Sequence, residues 1–387
     1  MGLFAVATAH ALSISARGQF VVLIAVAGIV QIVSSLGANI SVRVLVSREE
    51  ISISQSLTIV GSLAMGAGAV GLAAGWLLVP ANGSPRGAMA LWCAGLSAFG
   101  TFSVLVVHIL YGLGRLIAAS TVDAFGNVIL LLVGVVGVVT HASITMFLVA
   151  YIMSNVLALT ASLYVLSSVK NWRDNRHPHP WKTILSSSPM TTFISTSAQM
   201  TVKLDRYIIS VMLGLAAVSV YSVAATMSEL IWLIPISLSS RIMLTSAKSE
   251  GNDFEGLVPW AIICTLGAVL LAVASPWMTT LIFGQSYASA WKYVVLLTPG
   301  SLAMCVVLVL TPYLIGRDRT ARVLLASIIG ASCSVIGDVV LIRHFHIGGA
   351  AVACSIAYVI QAVVMMKMTQ TVHSRFGPTI YGVADAT

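Results

Sequence analysis

Few residues in this chain can do chemistry, and they stand out because nearly everything around them is apolar. Thr192, Ser195, Gln199, Lys203 and Arg206 recur at steps of three or four, so on a helix they share one face. A stripe of hydroxyls, an amide and two cations is unfavourable against hydrocarbon and belongs beside water or a polar ligand. Arg206 could grip an anion such as a diphosphate or an acidic sugar through a bidentate fork, with Lys203 as a point charge. Counting from Ser186, Lys203 lies roughly 26 Å along that helix, towards its far end. The other reading is anchoring, in which Asp205 pairs with a neighbouring cation and the charged ends snorkel outward.

Glu229 is the charge expected nearest the membrane midplane, roughly 20 Å from the start of a span at 216–240. With no basic residue of the neighbouring span clearly at its depth, it reads as a carboxylate that binds a proton or cation during coupling. The alternative is a neutral Glu hydrogen-bonded between helices. Asp123, about 9 Å into its span, is expected to meet Arg115. Asp338 is expected to meet Arg343 and His344 at the end of its own span. His108 reads as an interfacial histidine, and His177-Pro178-His179 as a solvated loop without acidic or cysteine partners. The five cysteines (Cys93, Cys264, Cys305, Cys333, Cys354) lie singly in apolar stretches, which suits packing rather than redox or metal chemistry. No cofactor is implied.

The elements that must position these groups follow from composition. Of 387 residues, 58% are apolar and 8% charged, against roughly 25% charged in a soluble globular chain; the mean hydropathy is +0.99. A soluble enzyme, a nucleic-acid-binding domain and a disordered chain are excluded. A helix needs about 20 apolar residues to cross hydrocarbon. The stretches that qualify are 19–41, 55–79, 88–111, 117–139, 142–168, 186–212, 216–240, 257–283, 290–315, 321–343 and 348–369. The reading is an all-α polytopic transmembrane bundle of 11–12 helices, with an N-terminal bundle at 1–168, a basic linker at 169–185 and a C-terminal bundle at 186–387. Residues 1–15 lack the basic start of a signal peptide and are expected to be the stub of a shortened first helix.

Lysine and arginine set the expected orientation. With the loop holding Lys170, Arg173, Arg176 and Lys182 in the cytoplasm, alternation puts fourteen basic residues inside and four outside (Arg17, Arg86, Lys292, Arg343), and the C-terminus inside. Tyr111, Gly114 and Arg115 recur as Tyr313, Gly316 and Arg317 at an offset of 202, and Phe20 pairs with Tyr221 at 201. Such spacing points to two halves of like orientation, related as parallel repeats about an axis along the membrane normal. Gly66, Gly68, Gly71 and Gly75 offer a small-residue face for close packing. Pro235, Pro276, Pro299 and Pro312 can kink their helices.

Three stretches carry a family resemblance: LDRYIISVMLG (204–214) running into VYSVAATMSELIWLIP (220–235); LIFGQSYASA (281–290), with a Gly-x-x-Tyr turn; and YGLGR (111–115). Their order and spacing resemble the oligosaccharide flippases, often called Wzx, of the polysaccharide-biosynthesis branch of the MOP transporter superfamily. The resemblance implies two six-helix bundles around a cavity. It further implies movement of undecaprenyl-diphosphate-linked sugars from the cytoplasmic to the outer leaflet of a bacterial inner membrane by alternating access. Membrane lipids, a glycan polymerase and chain-length machinery would then be partners, and nucleic acid would not. The polar candidates would divide into substrate-binding or gating residues (Gln199, Lys203, Asp205, Arg206) and an ion-coupling residue (Glu229). A multidrug exporter of the same superfamily is the alternative, although its cavity would be expected to be acidic. A glycan polymerase or ligase would be expected to carry a large outer loop, and the longest outer connection here is 80–87.

Overall fold

A computed structural model describes residues 2–80, 85–140, 142–169, 189–238 and 258–373 except Asp318, together with Trp181 and Ile242. Among these residues there is no strand. The helices are α1 (Gly2–Ala11), α2 (Ile14–Ser35), α3 (Ala38–Ser47), α4 (Ile53–Leu78), α5 (Arg86–Gly112), α6 (Leu116–Val139) and α7 (Ile144–Ser167), then α8 (Pro189–Leu213) and α9 (Leu215–Glu229). A 3-10 turn (Leu230–Trp232) carries α9 on to Leu238. Next come α10 (Val258–Phe283), a 3-10 turn (Gln285–Ala290), α11 (Trp291–Gly316) and α12 (Thr320–His373).

The expected spans fall on these helices, except that 19–41 is divided between α2 and α3 by the left-handed residues Leu36 (φ 47°) and Gly37 (φ 69°). Nine described helices are long and apolar enough to cross a membrane, and the chain is a multi-pass membrane protein. α12 is two helices fused at His346, whose φ of 50° and ψ of −132° break the run between the two expected spans. The charged α8 is absent from the nine apolar helices.

Local chemistry draws the boundaries. Ser13 caps α2 by accepting from the Ala16 amide. Ser52 and Gln55 form a reciprocal capping box at the start of α4. Gly214 (φ 87°) and Gly284 (φ 88°) take left-handed backbone where α8 turns into α9 and α10 into the next 3-10 turn. These two glycines and Ser13 lie at one end of the bundle, the Arg17 end. The YGLGR turn and the α3 helix lie at the other, the Arg115 end.

The expected small-residue face is in use at Gly68, Gly71 and Gly75, while Gly66 is exposed with open space around it. A Cβ on Gly71 would stand 2.8 Å from Ser97 Oγ, and one on Gly75 2.7 Å from Ala90 Cα, so α4 and α5 pack backbone to backbone. Large side chains such as Leu77, Ile117, Leu132, Leu270 and Leu281 point outward, as lipid requires.

The core is unevenly shared. One buried cluster joins Phe4, Phe20, Leu23 and Phe147 to Ile209, Tyr221, Tyr287 and Leu297, so helices from both halves of the chain pack together. The second cluster, at the Arg115 end, draws only on residues 38–166. α2 forms the principal contact between the halves, packing against α8 and α9.

Candidate substrate and coupling site

α8 and α9 fold back on each other about Gly214, which brings Arg206 and Glu229 together. Arg206 Nη2 donates to Glu229 Oε1 at 2.5 Å, with side chains 19% and 31% exposed. Measured from Gly214, the two residues lie about 12 and about 22 Å along their helices, a difference their long side chains bridge. Glu229 is therefore a paired carboxylate, against the expectation of no basic neighbour at its depth. Lys203 lies one turn before Arg206 and extends across to α2, where its ammonium occupies the space a Cβ on Gly28 would need. It is close enough to interact electrostatically with both Arg206 and Glu229. Among the described residues it has no ion-pair partner.

Asp205 is turned towards α9 at Tyr221 and is 3% exposed. Its Oδ2 accepts from the Tyr221 hydroxyl at 2.6 Å and its Oδ1 from the Arg206 amide at 2.6 Å. The expected anchoring contact is thus with a tyrosine and a backbone amide. Asp338 lies near enough to Asp205, Tyr221 and Cys354 for electrostatic interaction. It is 0% exposed, and neither carboxylate oxygen has a hydrogen-bond partner among the described residues. The expected partnership with Arg343 and His344 is not formed, because the Asp338 side chain is buried in the bundle while those two residues are exposed. A carboxylate without a partner costs several kcal/mol here; Asp205 has the Tyr221 hydroxyl, the Arg206 amide and the nearby Arg206 charge, whereas Asp338 has no such hydrogen bond among the described residues.

The remaining candidates separate. Asp123 is exposed and accepts from the Tyr111 hydroxyl at 3.4 Å, while its expected partner Arg115 donates to Ser168 Oγ at 3.3 Å. Thr192, Ser195 and Gln199 lie on α8, with side chains outside the described residues. The His177-Pro178-His179 loop lies outside them as well. No group of three or more metal-ligating side chains occurs among the described residues.

Sequence reasoning missed Arg17. Placed outside the membrane by alternation, it is 1% exposed at the contact between the two halves. Its Nη1 donates to the Ser219 carbonyl (2.7 Å), Ser219 Oγ (3.2 Å) and Ser222 Oγ (3.0 Å), and its guanidinium lies 5.2 Å from the centre of the Tyr287 ring. The signal was Ser13: an N-cap there starts the helix at Ile14 and draws Arg17 inside, whereas an apolar run starts five residues later.

No family model and no curated protein matches this chain. Solved structures do. An inward-facing multidrug resistance MATE family transporter of the MOP superfamily superimposes with a TM-score of 0.71 at 14% identity, over 98% of this chain and 96% of that one. The lipid II flippase MurJ in an inward closed conformation gives 0.71 at 14% identity, over 95% and 85%. An outward-facing MATE family transporter gives 0.62 at 14% identity, over 96% and 94%. The chain has the fold of MOP superfamily transporters, and these neighbours are transporters and flippases rather than enzymes.

Proposed function

We propose that this chain flips undecaprenyl-diphosphate-linked oligosaccharide from the cytoplasmic to the outer leaflet of a bacterial inner membrane by alternating access, supplying O-antigen, capsule or exopolysaccharide. The observation that carries this reading is the placement of Lys203 and Arg206: two cations one turn apart on α8, both partly exposed, with Lys203 set against the helix that joins the two halves. A diphosphate would compete with Glu229 for the Arg206 fork and take Lys203 as a second contact. The excess of basic residues at the Arg115 end supports that end as cytoplasmic, so the Arg17 end faces outward.

A second reading, a cation-coupled multidrug exporter, is favoured by a different observation: the buried Asp205–Asp338 pair, an acidic site suited to a coupling proton or cation. The two readings part in cells lacking the gene. A membrane-impermeant glycan hydrolase applied to spheroplasts reads which leaflet holds the lipid-linked glycan. A flippase leaves intact repeat units trapped inside when absent, and Arg206→Ala fails to restore them. Glycan reaching the outer face regardless, with faster accumulation of cationic dyes, is the exporter's result.

A further inference from the structure

The Arg17 end of the α2 contact is closed by more than packing. Gly18 admits the Leu215 carbonyl into the space a Cβ would fill, so the α2 and α9 backbones touch there. Beside it, Arg17 sits in a pocket built by three elements: α2 supplies the guanidinium, α9 the Ser219 and Ser222 acceptors, and the 3-10 turn before α11 the Tyr287 ring. Tyr287 is itself 1% exposed, and its hydroxyl lies 3.1 Å from Ser219 Oγ. At the same end His10 Nε2 meets the Ile282 carbonyl at 2.8 Å, tying α1 to α10. The other end of α2 is different: Val33 and Leu36 are 41% and 43% exposed.

We propose that Arg17 is the bolt of the gate at this end, a residue that positions α2 against α9 and whose withdrawal from Ser219, Ser222 and Tyr287 lets that end open. Its partners fit that task. No ion-pair partner for Arg17 occurs among the described residues; its contacts are a carbonyl, hydroxyls and an aromatic face. A carboxylate at this depth would hold the guanidinium through a charge–charge bond that water could not readily replace. Neutral acceptors hold it while the site is dry, and water replaces them once the site hydrates. The Nε atom, buried without a hydrogen-bond partner among the described residues, leaves the closed state short of one bond that hydration restores. Such a contact closes the gate without trapping it.

The inference rests on the proposed alternating access and not on the identity of the substrate. Its test reads water access at both ends of the contact in the full chain, in lipid nanodiscs, after replacement of the five native cysteines. A Leu215→Cys reporter lies under Gly18 at the Arg17 end. A Ser35→Cys reporter lies seven residues beyond Gly28 on the same face of α2. With Arg17→Gln, the Leu215→Cys reporter should react with a water-soluble maleimide about tenfold faster and the Ser35→Cys reporter more slowly; Tyr287→Phe should give a smaller change in the same directions. A Leu215→Cys rate within twofold of the parent overturns the bolt, and so does faster reaction at both reporters, which is general loosening. A parent chain whose Leu215→Cys reporter never reacts overturns the bolt and alternating access together. The expected opposite shifts in a chain that moves no glycan sustain the bolt and defeat the flippase reading alone.

Discussion

Two glycines on α2, ten residues apart, let the halves of the chain meet, and they do so against different kinds of neighbour. Gly18 lies under the Leu215 backbone, and Gly28 lies under the tip of the Lys203 side chain. A backbone carbonyl cannot yield without moving its helix, whereas an ammonium on a four-carbon stem can swing away. The first contact therefore parts only when a whole helix moves, with Arg17 holding it shut, and the second yields to side-chain motion alone, adjoining the Arg206–Glu229 pair. One helix thus carries both the seal and the site, so a shift of α2 at one end is felt at the other.

Gly18→Ala should have the largest effect. The methyl group has nowhere to go, and overpacking of this kind costs about 1–3 kcal/mol. A lowered Tm in detergent and a gap between α2 and α9 are expected; an unchanged Tm would deny the close approach. Glu229→Gln comes next. It leaves Arg206 without its ion-pair partner, and because the pair is partly exposed the cost is about 1–2 kcal/mol, below the roughly 3–5 kcal/mol of a fully buried pair. Arg206→Ala combined with Glu229→Gln should cost less than the sum of the two, a coupling that a double-mutant cycle reads.

The contrast between the two contacts was only half legible in the sequence. The helices were readable because hydrocarbon demands long apolar runs, and the hairpin glycines mark their turns. Lys203, Asp205 and Arg206 were readable as a polar cluster because charge is so scarce. Their partners were not: pairing depends on how α8 and α9 pack about Gly214, so Glu229 read as isolated although Arg206 reaches it. Asp338 failed for the reverse reason. Its sequence neighbours Arg343 and His344 looked like partners, but a helix turns its residues to different sides, and this one faces Asp205. Arg17 was hidden by its position at the edge of an apolar run, where one cap residue decides between outside and inside.

Asp338→Asn sharpens the distinction between the site and its coupling apparatus. It removes a buried charge at constant shape, so stability should change by less than about 1 kcal/mol or rise, while dependence of transport on an ion gradient should be lost. Gradient-driven transport unchanged from the parent would remove the acid pair from coupling. The smallest effect is expected from Gly28→Ala. Lys203 swings aside at a cost under about 1 kcal/mol, and transport should fall a few-fold through weaker anion binding. A fall in Tm as large as that of Gly18→Ala would erase the difference between the two contacts.

The most direct test is reconstituted translocation. Purified chain in proteoliposomes is given undecaprenyl-diphosphate-linked glycan in the inner leaflet, and an impermeant hydrolase outside reads its arrival. The parent should expose glycan to the enzyme many times faster than empty vesicles, and Arg206→Ala and Lys203→Ala, folded and inserted, should fall to the empty-vesicle rate. Parent vesicles no faster than empty ones, or variants as fast as the parent, would contradict the account.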